Sequence, residues 1–115
     1  MAVVDDDPSM LKGIERFLSA RGLAAEGFAS AEAFLASSAA TRATCLVLDI
    51  QLPGMSGLEL QRQLTASGST LPIILMTAFE DEATHKRALQ AGCVSYLQKP
   101  FPAALLLEAI DKAAG

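Results

Sequence analysis

Four short apolar runs in this chain each deliver polar residues of a particular kind. Asp5, Asp6 and Asp7 follow Ala2–Val4, Asp49 follows Cys45–Leu48, Thr77 follows Leu71–Met76, and Lys99 stands just beyond Val94–Leu97. Crowded carboxylates repel one another and either protonate or require a cation. Magnesium suits such a set, because it is a hard ion held by one or two carboxylates, waters and a phosphoryl oxygen. A carboxylate can also act as a nucleophile and form an acyl phosphate. Charge developing on the transferred phosphoryl oxygens would then be met by the metal, a lysine ammonium and a hydroxyl donor. Asp6, Asp49, Thr77 and Lys99 offer one residue for each of those roles.

Such residues act together only if the chain brings the ends of the apolar runs to one place. None of the runs alternates cleanly with polar residues, which predicts strands buried on both faces of a parallel sheet. A weaker strand candidate is Ala24–Phe28, flanked by Gly22 and containing Gly27. Helical patterns lie between them. Met10, Ile14, Phe17 and Leu18 share a face after Pro8 and stop at Gly22. Ser30 opens a segment carrying Phe34 and Leu35, and Ser56 with Glu59 fits a capping box ahead of Leu58, Leu60 and Leu64. Glu80 and Asp81 start a further helix with Ala88 and Leu89 as its apolar positions and Gly92 as its stop. Pro102 opens the last, with Leu105, Leu106, Ala109, Ile110 and Ala113 as its stripe. The order predicted is β-α repeated five times, a three-layer α/β fold with right-handed crossovers. In such folds ligands sit at the carboxyl ends of the strands.

Composition agrees with that class. The chain has 115 residues, 51% of them hydrophobic, with a net charge of −4. A mean hydropathy of +0.35 excludes a disordered chain, and a pI near 4.8 argues against direct nucleic-acid binding. No apolar run reaches the roughly 18 residues of a membrane span. The first residues lack the basic and long apolar regions of a secretion signal. Cys45 and Cys93 lack the spacing of a zinc or disulfide site and read as small core residues, while His85, beside Lys86 and Arg87, reads as part of a solvated face. Gly54 and Gly57 fit a turn that needs permissive backbone angles.

The motifs Val4-Asp5-Asp6-Asp7-Pro8, Leu48-Asp49-Ile50-Gln51-Leu52-Pro53-Gly54-Met55-Ser56-Gly57, Met76-Thr77-Ala78 and Tyr96-Leu97-Gln98-Lys99-Pro100-Phe101 resemble the receiver domain of two-component response regulators. The resemblance runs in order over the whole chain, residues 1–115. It implies the CheY-like, flavodoxin-like (βα)5 fold, a doubly wound five-stranded parallel sheet in the order 2-1-3-4-5. It further implies that Asp49 is the phosphoacceptor, that Asp5 and Asp6 are the acidic metal pair, and that Thr77 and Lys99 bind the phosphoryl group. Magnesium would be held by Asp5, Asp6, Asp49 and the backbone carbonyl of Gln51, with Asp6 the favoured direct ligand of the pair. Tyr96 would be the aromatic switch, and a cis peptide at Lys99-Pro100 would aim the lysine inward. Gln51 and Phe79 would flank the approach of water and so set the lifetime of the phosphoryl group. The stretch Ser30-Ala31-Glu32-Ala33-Phe34-Leu35 is similar to the nitrogen-fixation and styrene/toluene-degradation regulators, in which a LuxR-type helix-turn-helix domain follows the receiver. The implied partners are a sensor histidine kinase and, on phosphorylation, a second copy of the chain, in the cytoplasm and away from membranes. DNA would be reached only through such a following domain.

Taken singly these residues are ordinary: acidic runs cap helices, threonine suits strands, and lysine favours the surface. Their joint appearance at successive strand ends is what carries the reading. A haloacid-dehalogenase-type hydrolase also uses an aspartyl nucleophile and magnesium, but needs a second acid where this chain has Gln51. A phosphate-free variant of the receiver would lack one of the site residues, and none is missing. A flavin or nucleotide site would want a glycine- or hydroxyl-rich first loop, where Asp5-Asp6-Asp7 would repel phosphate.

Overall fold

A computed structural model describes residues 1–78 and 82–114. Its five strands are β1 (Ala2–Val4), β2 (Glu26–Phe28), β3 (Leu46–Asp49), β4 (Ile73–Thr77) and β5 (Ser95–Gln98). They form one sheet in the order β2-β1-β3-β4-β5, with every pairing parallel. The predicted order and direction are both observed. The helices are α1 (Pro8–Ser19), α2 (Ala31–Ala36), α3 (Ala39–Arg42), α4 (Gly57–Ala66), α5 (Glu82–Gln90) and α6 (Ala103–Ala114).

Successive strand residues feed opposite cores, which is why no polar alternation marks the strands. Val4, Leu48 and Leu75 pack with Phe34 of α2, Leu60 and Leu64 of α4, and Ala88 of α5. Val3, Val47, Ile74 and Met76 pack on the other face with Ile14 and Leu18 of α1 and Leu106 and Ile110 of α6. Among the described residues, no helix is long and apolar enough to cross a membrane.

The helix starts are set by side-chain caps. Asp7 accepts the N–H groups of Ser9 (2.9 Å) and Met10 (3.5 Å) at the start of α1. Ser30 accepts the N–H of Ala33 at 3.0 Å for α2. The capping box at α4 is half realised: Ser56 accepts the Glu59 N–H at 3.2 Å, but Glu59 takes the Ser56 hydroxyl rather than its backbone N–H.

Several expectations need correction. The one-turn helix α3 was not expected, because its stretch is rich in alanine and buries only Ala39, leaving no apolar period to read. Leu89 and Leu105, which the sequence offers as apolar positions of their helices, are 54% and 42% exposed and so lie off the buried stripe. The expected helix start at Glu80 and Asp81 lies outside the described residues. Gly54 does take a left-handed backbone, φ 74°, but Gly57 does not. Gly57 is required for space: a Cβ there would overlap the Asp49 carbonyl oxygen and lie 2.8 Å from the Ile50 Cα.

Candidate functional site

The strand order sets β1 and β3 side by side and runs on through β4 to β5, so their carboxyl ends form one edge. Backbone bonds continue past the strands and fix the residues that follow. The N–H of Asp5 donates to Phe28 O at 3.0 Å, that of Ile50 to Met76 O at 2.9 Å, and that of Lys99 to Thr77 O at 2.7 Å. Asp49 and Thr77 are the last residues of β3 and β4, one place earlier than a residue following the strand would be. The peptide between Lys99 and Pro100 is cis, as the resemblance implied.

Lys99 is the hub of the site. Its Nζ donates to Asp5 Oδ2 at 2.7 Å and to Asp49 Oδ2 at 3.0 Å. Both carboxylates are buried, Asp5 fully and Asp49 at 4% exposure. Their remaining oxygens are bonded too: Asp5 Oδ1 accepts the Asp7 N–H at 2.9 Å, and Asp49 Oδ1 the Gln51 N–H at 3.0 Å. Burial pushes the Asp49 carboxyl above the usual aspartate range, against the opposing pull of the hydrogen bond and charge of Lys99. Burial pulls Lys99 down, but its bonds to the two carboxylates and their charges outweigh this, and its ammonium is held above the ordinary lysine value.

The acidic run divides its labour. Asp5, Asp6 and Asp49 each place an oxygen within 4.8 Å of the others, while Asp7 turns away to cap α1. Two of the three clustered carboxylates share one ammonium, and Asp6 is exposed. Three hard oxygen donors carrying more negative charge than one lysine balances fit a divalent cation such as magnesium.

Thr77, fully buried, donates its hydroxyl to Gln51 Oε1 at 2.7 Å. A chain of bonds therefore runs from Lys99 through Asp49 and Gln51 to Thr77. The half-buried Tyr96 ring stacks on His85 of α5, with centroids 4.2 Å apart and planes at 12°. His85 is exposed, as expected, yet it stacks on the Tyr96 ring, a contact that its sequence neighbours give no reason to expect. Phe79, expected to flank the approach of water, lies outside the described residues. In the sequence Glu32 stands out only as part of a subfamily motif. It accepts the N–H of Met55, in the loop after Asp49, at 3.1 Å.

A doubly wound parallel sheet with clustered aspartates and a lysine at its carboxyl edge defines a CheY-like signalling domain. Residues 1–111 match the family described as the response regulator receiver domain, and the chain belongs to it. It is 38% identical over 111 residues to the response regulator protein TodT of Pseudomonas putida, which covers 96% of this chain and 49% of that protein. It is similar to the solved response regulator StyR, with a TM-score of 0.90 and 43% identity, covering 97% of this chain and 57% of that one. The crystal structure of FixJ-N matches with a TM-score of 0.88 and 35% identity, covering 98% of this chain and 90% of that one. The chain spans about half the length of the curated relatives it matches, 49% for TodT. It is a phosphoacceptor domain of two-component signalling, a family that works with a histidine kinase and an output domain and binds magnesium at an acidic cluster.

Proposed function

We propose that residues 1–115 form one receiver domain in which Asp49 accepts the phosphoryl group from a sensor histidine kinase. The observation that carries this reading is the buried Asp49 carboxylate, held 3.0 Å from Lys99 Nζ beside Asp5 and Asp6 at the edge where β1, β3, β4 and β5 end. An Asp49 oxygen attacks phosphorus, the bond from phosphorus to the donor breaks, and an acyl phosphate forms on β3. Lys99 meets the new oxyanions with its ammonium, and the Thr77 hydroxyl donates to one of them. Asp6, Asp5, Asp49 and the Gln51 carbonyl are the residues that would hold magnesium. When bound, the ion supplies positive charge against the phosphoryl oxygens.

The movement of Thr77 toward the phosphoryl group releases space for the Tyr96 ring, whose surroundings on α5, β5 and α6 include the exposed Leu89 and Leu105. That face is the proposed dimer surface, and a second phosphorylated copy its occupant. The output is proposed to be transcription, through a DNA-binding domain of the LuxR type in the longer protein. The signal ends when water attacks phosphorus and the bond to Asp49 breaks, returning the carboxylate and inorganic phosphate. Gln51 orients that water and Phe79 limits its entry.

Incubation with acetyl phosphate and magnesium should add one phosphoryl group, labile to hydroxylamine and seen by mass spectrometry. Asp49→Asn should abolish it, and an unchanged level of phosphorylation in that variant would overturn the assignment.

A further inference from the structure

We propose that Gln51 is a positioning residue that holds the Thr77 hydroxyl before phosphorylation, and that the phosphoryl group must take this hydroxyl from it. The inference rests on Asp49 as the phosphoacceptor. Thr77 Oγ1 lies 2.7 Å from Gln51 Oε1, a short O–H···O contact, at a residue with no exposed surface. A threonine hydroxyl carries a single proton. It therefore cannot donate fully to the Gln51 amide and to a phosphoryl oxygen at once.

The geometry makes Gln51 a fitting holder. Its backbone N–H is bonded to Asp49 Oδ1 at 3.0 Å, so the amide that grips Thr77 is anchored to the carboxylate that is to be modified. One residue thus touches both the phosphoacceptor and the hydroxyl donor, from adjacent strands β3 and β4. Phosphorylation exchanges a neutral hydrogen bond for a charge-assisted one, which favours transfer of the hydroxyl. The exchange has a second consequence. Gln51 Oε1, the atom that could accept a hydrogen bond from an attacking water, is engaged by Thr77 until the phosphoryl group is in place. The acceptor for the off-reaction is released by the same event that sets the switch.

Beryllium fluoride, which mimics a phosphoryl group on an aspartate, tests this at saturating magnesium. Its affinity is measured by calorimetry in four proteins: wild type, Gln51→Leu, Thr77→Val and the double variant. In Gln51→Leu the hydroxyl no longer has to leave the amide, so binding should tighten about fivefold, the factor that one neutral hydrogen bond represents. In the Thr77→Val background there is no hydroxyl to release, and adding Gln51→Leu should change nothing. Equal effects in the two backgrounds would mean that Gln51 acts only through packing or water, and would overturn the proposal. So would weaker binding in Gln51→Leu alone. If a thermal melt shows that the leucine variant folds poorly, Gln51→Met, similar in length and without the amide oxygen, takes its place with the same expected outcomes. Failure of wild type itself to bind beryllium fluoride would overturn the phosphoacceptor reading, and this inference with it.

Discussion

The Glu32 carboxylate accepts the Met55 backbone N–H at 3.1 Å, tying α2 to the loop that follows Asp49. Gly54 makes the approach feasible, since a Cβ there would lie 2.5 Å from Glu32 Oε2. The hydrogen bond from Met55 holds the Glu32 carboxyl below its ordinary value of 4.5. A lowered pKa means that the carboxylate form steadies the loop above the ordinary glutamate range, and that this contribution fades as pH falls through the depressed value. The Met55 amide should therefore lose protection from hydrogen exchange on acidification, and Glu32→Ala should lose it at every pH. Unchanged Met55 protection in Glu32→Ala would show that the loop holds itself.

Asp6 is the exposed member of a carboxylate trio whose other two share Lys99. Asp6→Asn removes a negative charge that nothing in the cluster balances. In metal-free buffer it should raise stability by about 0.5 kcal/mol, the scale of a solvent-screened charge contact. Magnesium affinity should fall at the same time. A lower melting temperature of metal-free Asp6→Asn would contradict a repulsive cluster.

Lys99→Met should do the reverse. It keeps an apolar stem but leaves Asp5 and Asp49 buried without their counter-charge, costing about 3 kcal/mol. Magnesium should recover part of this loss by replacing the missing positive charge. The raised Lys99 pKa contributes stability below the ordinary lysine value of 10.5 and loses it as pH rises through the folded value. Urea melts across that alkaline range should therefore slope downward in wild type and less so in Lys99→Met. Parallel slopes would remove Lys99 as the source.

Thr77→Ala separates acceptance of the phosphoryl group from its readout. Asp49 keeps its position and Lys99, so the variant should still be phosphorylated, but it lacks the hydroxyl proposed to report the event to Tyr96. Sedimentation of phosphorylated samples should find weaker dimerisation than in wild type. Equal dimerisation would show that Tyr96 is driven by another route.

What is legible in the sequence follows from the range of each interaction. Runs such as Leu46–Leu48 and Ile73–Met76 announce buried strands because burial on both faces leaves a continuous apolar signal. The site residues could be placed because a parallel sheet brings its strand ends together. The three adjacent aspartates could not be told apart by type. Backbone direction and the position of Lys99 turn Asp5 inward, while Asp7 is spent on capping α1. The bond between Gln51 and Thr77 spans 26 positions and that between Glu32 and Met55 spans 23, so neither leaves a local pattern. The stack of His85 on Tyr96 likewise arises only once α5 lies along β5.

Gly57 links the loop after Asp49 to the first turn of α4 by proximity alone. Its N–H donates to Ile50 O at 3.0 Å, drawing the helix start onto the end of β3. A Cβ would overlap the Asp49 carbonyl oxygen and stand 3.0 Å from the Asp49 carbonyl carbon. Those are backbone atoms of a buried strand end, which cannot swing aside as a flexible side chain would. Gly57→Ala must therefore push α4 outward or displace Asp49, and should destabilise the domain by about 1–3 kcal/mol. It should also slow phosphorylation, because the nucleophile moves relative to Lys99. Gly68 supplies the control. It lies just past the far end of α4 with φ 84° and nothing near its Cβ position, so Gly68→Ala strains the backbone at a distance from the site. Both variants should melt earlier than wild type, but only Gly57→Ala should accept phosphate from acetyl phosphate more slowly. Equal phosphorylation rates in the two would show that the close contact at Gly57 serves stability and not the placement of Asp49.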